Sequence, residues 1–205
     1  EQGRRTVTQL IIDADSHITE PADVWTSRVP AKYRDDVPVV VRDGPADLWV
    51  LNGERLSPVG VTAPAGWPTF PPEYPPTYGD VHPGSYDAVA RLRYMDDASI
   101  WAQVLYPNVG GFGSEHFLKI ADEQLKLLCV EAYNDFLFDE FCAPDPKRLV
   151  GMAQIPSIGI DASVDALRKA KARGAKGVVI SNWPAGNESL SRDDDPFWAA
   201  AVDEG

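Results

Sequence analysis

Ile11-Ile12-Asp13-Ala14-Asp15-Ser16-His17 is the stretch from which the fold is read. Two β-branched apolar residues lead into an alternation of carboxylate, small residue, carboxylate, small residue and imidazole. In a strand, side chains two apart point to one face. That places Asp13, Asp15 and His17 together, with the last two where the strand ends. A carboxylate and an imidazole at a strand terminus are suitable ligands for a borderline-hard metal ion. The same spacing also suits a solvated acidic turn after an edge strand, because two ligands do not make a metal site.

Downstream, short apolar strands alternate with capped helices. Strands are expected near 10–15, 102–106 (AQVLY), 149–155 (LVGMAQI) and 177–181 (GVVIS). Ser85 is an expected N-cap for a helix to about Ser99, and Ser114 for one running to about Cys142. Asp161 is expected to cap a helix ending at Gly174. Asp195-Pro196 opens a last helix that finishes at Gly205. Four βα units in this order predict a parallel sheet. Between the first strand and its helix lies an insertion over about 38–84. It begins with three strands, Val39–Val41, Leu48–Leu51 and Leu56–Val59, turned by Asp43-Gly44 and Asn52-Gly53. A loop from Pro58 to Gly84 then carries eight prolines interleaved with Trp67, Phe70, Tyr74 and Tyr78. It reads as a lid or pocket wall, or as a cover for the sheet end or a subunit contact.

Composition excludes several functions. A 205-residue chain with 44% hydrophobic and 24% charged residues is ordinary globular material. The net charge of −12, with no basic run, argues against nucleic acid or an anionic membrane as partner. The apolar run after Arg4-Arg5 is too short for a signal peptide, and no later segment approaches a membrane span. Cys129 and Cys142, thirteen residues apart in one predicted helix, are out of disulfide reach, which suggests a reducing, cytoplasmic setting. Gly110-Gly111-Phe112-Gly113 lacks both the dinucleotide-binding spacing and a P-loop lysine, so a nucleotide-binding open sheet is disfavoured.

Several longer motifs resemble the amidohydrolase-2 family, which includes aminocarboxymuconate-semialdehyde decarboxylase and γ-resorcylate decarboxylase. They are Asp13–Pro21 (DADSHITEP), Pro83–Asp87 with Arg91-Leu92 and Met95-Asp96, Val104–Pro107, Ala132–Phe136, and Asp145–Leu149. The resemblance runs in order along nearly the whole chain. It implies a metal-dependent (β/α)₈ barrel, of which residues 1–205 are a single domain holding about four βα units and incomplete at the C-terminus. Matched by position, Asp15 stands in the first metal-ligand place and His17 in the second. The other ligands and the acid–base aspartate are expected beyond residue 205. A closed barrel needs about 250 residues, so a missing C-terminal half or a complementary chain is the expected partner, with homo-oligomer formation.

A hydrolase or a nonoxidative decarboxylase fits such a site, acting on a small aromatic or cyclic carboxylic acid. The metal is expected to be zinc, with manganese as the oxygen-rich alternative. Other candidates for the substrate pocket are His82 in the proline-rich loop, His116 after the second barrel strand, and Asn182 and Trp183 after the fourth. His116 is otherwise a surface residue, and Arg91 a carboxylate holder or a helix-surface ion pair. The competing class is a catalytically inactive half-barrel or interaction module, which two ligands or none would favour.

Overall fold

The computed structural model describes residues 10–69, 73–111 and 115–205. Its main sheet has four parallel strands in the order β1 (Ile11–His17), β5 (Ile100–Tyr106), β6 (Leu149–Gln154) and β7 (Gly177–Val179). The insertion forms a separate antiparallel sheet of β2 (Val39–Asp43), β3 (Ala46–Leu51) and β4 (Glu54–Pro58). Asn52-Gly53 turns β3 into β4 as expected, with φ of 49° and 76°; the first turn is shifted by one residue, to Gly44-Pro45, because Asp43 still pairs with Ala46 as the end of β2, and only Gly44 takes positive φ, 59°. The helices are α1 (Ala88–Asp97), α2 (Glu115–Leu118), α3 (Glu123–Phe136), α4 (Ile160–Ala172) and α5 (Asp195–Glu204). The βα alternation and strand order are those expected for part of a (β/α)₈ barrel.

Side-chain capping accounts for most differences from the expected boundaries. Ser85 ends a short 3₁₀ turn, Pro83–Ser85, and α1 starts later because the Asp87 carboxylate accepts the Ala90 amide. The long helix expected from Ser114 to Cys142 is broken. Ser114 itself lies outside the described residues, as do Phe70, Phe112 and Gly113. α2 ends at Leu118, and Asp122 opens α3 by accepting the Gln124 and Leu125 amides at 2.9 and 3.2 Å. Beyond Phe136 the chain widens into a π turn over Leu137–Phe141. α4 is preceded by Gly159 at φ 130°, not capped by Asp161, and Gly174 follows its end at φ 94° as expected. Ser191 and Asp194 form a capping box on a 3₁₀ turn that runs into α5, so Asp195 is its first residue and not its cap.

The core lies on the helix-facing side of the sheet. Ile18, Leu105 and Leu149 meet Met95, Cys129, Tyr133 and Leu137, and a smaller cluster joins Ile155 to Leu167, Phe197 and Ala200. Aromatic side chains fasten the insertion to this core. Fully buried Trp25 stands edge-on to Trp49 of β3 at 5.5 Å and to Phe117 of α2 at 5.9 Å, and its indole donates to the Cys129 carbonyl at 2.9 Å. Trp49 meets Tyr78, which meets Tyr86. The proline-rich loop is held by backbone: the Asp47 amide donates to the Pro76 carbonyl at 2.8 Å, and the Tyr78 amide to the Asp47 carboxylate at 3.0 Å. Gly60 sits where a Cβ would come within 1.8 Å of the Pro75 carbonyl oxygen. Backbone cannot swing aside as a side chain can, so Gly60→Ala is expected to cost about 3 kcal/mol in chemical denaturation.

Both cysteines are buried and unbridged, and burial pushes each thiol up to about 12. They are inert packing groups. Among the described residues, no helix is long and apolar enough to cross a membrane.

Candidate metal site

β1 does not keep strict alternation. Asp13 pairs with Gln103 and Ser16 with Leu105, so three steps on β1 face two on β5. This bulge separates Asp13 from the pair with which simple alternation grouped it. Its carboxylate accepts the Ser16 hydroxyl at 2.6 Å, the Asp15 amide at 3.1 Å and the Gln103 amide nitrogen at 3.0 Å. Partial burial pushes the Asp13 carboxyl up. The hydrogen bonds from Ser16, Asp15 and Gln103, with the Arg91 charge behind them, more than offset that and hold it below the ordinary carboxylate range. Asp13 is therefore an anion committed to bracing the bulge.

Arg91 of α1 is the other brace. It is buried, not a surface ion pair, and it donates to Gln103 Oε1 at 3.0 Å, to the His17 carbonyl at 2.8 Å and to the Gly84 carbonyl. The end of β1 is thereby tied to the helix that follows the insertion.

Beyond the bulge stand Asp15 and His17. The Asp15 side chain is 82% exposed and that of His17 32%, and Asp15 Oδ1 lies 3.8 Å from His17 Nε2. Two ligand atoms on one ion each sit about 2.1 Å from it, so a gap below twice that value lets one ion touch both. His17 Nδ1 is 3.1 Å from the Pro107 carbonyl. A carbonyl only accepts, so Nδ1 is the donor there, and Nε2 is the nitrogen turned toward Asp15. This is how metal-binding histidines are held, with the second nitrogen fixed by an acceptor. The donor set therefore fits a divalent ion, but only in part. Among the described residues, no group of three or more His, Cys, Asp or Glu is placed to hold one.

The other candidate residues separate. His82 joins Asp15 and His17 in lining a cavity of about 260 Å³ beside β1, whose opposite wall is Thr62–Ala65 of the proline-rich loop. Part of that loop is thus a pocket wall. His82 Nδ1 accepts the Gly84 amide at 3.0 Å, and its ring meets Tyr94 edge-on at 5.9 Å. His116 does not line this cavity. It is half-buried, with Nδ1 buried and without a hydrogen-bond partner, so it is not the solvated surface residue expected. Asn182 and Trp183 are half-buried beyond β7, at the same end of the sheet as His17. Three strand spacings separate β7 from β1, roughly 14 Å, so they can share only a broad site with His17.

Sequence reading overlooked Glu20. It is fully buried, and Oε1 accepts the amides of Asn108 and Val109 at 2.9 and 3.2 Å while Oε2 has no partner. Burial pushes its carboxyl up to about 7, against the pull of those amides. The sign of the consequence is definite. Below about pH 4.5 both folded and unfolded chains hold this proton. Between there and about 7 only the folded chain does, so stability falls as pH rises through that window and then levels. The expected loss is about 3 kcal/mol, read as the difference in denaturation midpoint between wild type and Glu20→Gln across that range.

No protein-family model matches the sequence, and no curated protein does either. Solved structures do match. The fold is shared with amidohydrolases and decarboxylases. An amidohydrolase from Mycobacterium avium subsp. paratuberculosis K-10 superposes with a TM-score of 0.69 at 21% identity, covering 95% of this chain and 56% of its own. A 5-carboxyvanillate decarboxylase from Novosphingobium aromaticivorans DSM 12444, solved with bound manganese and 3-methoxy-4-hydroxy-5-nitrobenzoic acid, gives 0.55 at 20% identity, covering 95% and 48%. A 2,6-dihydroxybenzoate decarboxylase from Rhizobium gives 0.51 at 17% identity, covering 96% and 47%. The chain thus spans about half the length of the structures it matches.

Proposed function

We propose that this chain is the N-terminal half of a metal-dependent barrel enzyme of the amidohydrolase-2 family, acting on a small aromatic or cyclic carboxylic acid. The observation that carries the proposal is the arrangement of His17, with Nδ1 committed to Pro107 and Nε2 facing the Asp15 carboxylate at the C-terminal end of β1. Active groups of (β/α)₈ barrels occupy that end. The manganese and aromatic acid in one structural neighbour, and the dihydroxybenzoate substrate of another, support the reading.

Asp15 and His17 would hold a divalent ion, zinc or manganese, together with ligands supplied by the other half of the barrel. Bound there, such an ion supplies a Lewis acid for a carboxylate or for water. The chain's own contribution is positional. Arg91 and the Asp13–Ser16–Gln103 network fix the end of β1, Pro107 fixes the His17 proton, and Thr62–Ala65 with His82 wall the adjoining cavity. The complementary half would pair with the open edges of β1 and β7, the terminal strands of the sheet. Leu10, Ile11, Ile12 and Trp101, all exposed, support such coverage, which a homo-oligomer would also supply.

Two reactions suit the site, and a carboxylate in the first ligand place favours decarboxylation. The test is to incubate the full-length protein, manganese- or zinc-loaded, with hydroxybenzoates and with cyclic amides or esters in ¹⁸O-water. The expected result is carbon dioxide release from a hydroxybenzoate with solvent hydrogen on the product carbon. ¹⁸O incorporation into an acid product would assign hydrolysis instead. Neither reaction, in protein that holds the metal, would leave the interaction-module reading.

A further inference from the structure

The proposal concerns Glu20 and rests on the reading of His17 as a metal ligand. Two hydrogen bonds connect the two residues through one peptide unit. The Pro107 carbonyl accepts from His17 Nδ1 at 3.1 Å, and the amide N–H of the same peptide, that of Asn108, donates to Glu20 Oε1 at 2.9 Å. The same oxygen takes the Val109 amide at 3.2 Å, while the Asn108 side chain donates back to the Ile18 carbonyl. The Tyr78 hydroxyl closes the set by donating to the Glu20 carbonyl. The end of β1 and the turn after β5 are thus cross-tied, with a fully buried carboxyl group at the centre.

A carboxylate on the N–H side of a peptide polarises its C=O, and linked hydrogen bonds strengthen one another. A more basic Pro107 oxygen holds the His17 Nδ1 proton more firmly and makes Nε2 a better donor to a metal. Metal-bound histidines often reach a carboxylate directly. We infer that Glu20 is the positioning residue of the metal site, fixing the tautomer and basicity of His17 through the Pro107–Asn108 peptide. A carboxyl group serving only to join two loops has no need to address the one peptide unit that His17 also addresses. Gln in its place keeps an acceptor oxygen for the Asn108 and Val109 amides but carries no charge. Ala removes both.

The test uses the full-length protein with ¹⁵N-labelled histidine, in wild type, Glu20→Gln and Glu20→Ala, above neutral pH. In metal-free wild type, the ¹⁵N shifts of His17 should show a single tautomer with the proton on Nδ1. Manganese titrated alone should bind about 10-fold more weakly in Glu20→Gln, and towards 100-fold more weakly in Glu20→Ala with mixed tautomers, the range that outer partners of metal ligands command. Wild type with the proton on Nε2 overturns the inference without any variant, so misfolding of a substituted protein leaves it testable. Equal manganese affinity in all three proteins also overturns it. If His17→Ala binds manganese as wild type does, the failure belongs to the metal-ligand reading and not to Glu20 alone.

Discussion

His17→Ala is expected to reduce manganese or zinc affinity of the full-length protein by more than about 100-fold, with the fold intact. Loss of an outer partner already costs 10–100-fold, and His17 is an inner ligand in this account. The side chain is 32% exposed at a strand end, so its removal leaves no large cavity. The polar bracing beneath it survives: Arg91 binds the His17 main-chain carbonyl, which alanine retains, and Asp13 keeps Ser16 and Gln103. Equilibrium dialysis of the metal, beside a circular dichroism melt, separates the two outcomes. Unchanged affinity with an unchanged melt would remove His17 from the site. Asp15→Ala should weaken binding as well with even less effect on the melt, since that side chain is 82% exposed.

The largest expected effect on stability is at the other end of the same architecture. Trp25→Ala empties a fully buried indole site between β3, α2 and α3. Truncation of a buried aromatic side chain typically costs 3–5 kcal/mol. The Cys129 carbonyl also loses its indole donor, a further penalty of about 1 kcal/mol or more. Whole-domain stabilities are about 5–15 kcal/mol, so the variant should sit at the edge of folding, with the insertion sheet detached first because Trp49 keeps only Tyr78 as a ring partner. Trp25→Phe, which fills most of the volume but lacks the donor, should recover much of the loss. Urea denaturation of the three proteins reads the series. Equal midpoints for wild type and Trp25→Ala would show that the insertion is not anchored through Trp25.

How much of this was legible in the sequence follows from the range of the interactions. The Asp15–His17 pair is two residues apart, and its position at a strand end can be read from a seven-residue window. The four strands and the insertion hairpins were equally local, set by apolar runs and by dipeptides that tolerate positive φ. The bulge was not legible, because it is imposed by the register against β5, whose Gln103 reaches across to Asp13 and Ser16. Arg91 looked like a helix-surface charge, since its acceptors at Gly84, His17 and Gln103 come together only after folding. Glu20 was hidden in the same way: the amides it binds belong to residues 88 and 89 positions away. The one local hint was a glutamate between Ile18-Thr19 and Pro21, where a strand has ended and a charge has no evident reason to enter the core.

Binding of one divalent ion by Asp15 and His17 at the end of β1 would be seen by anomalous diffraction at the manganese edge from crystals of the full-length protein. A single anomalous peak is expected about 2 to 2.3 Å from both His17 Nε2 and an Asp15 carboxylate oxygen. A manganese peak elsewhere, with His17 Nε2 free or hydrogen-bonded to protein, would contradict it.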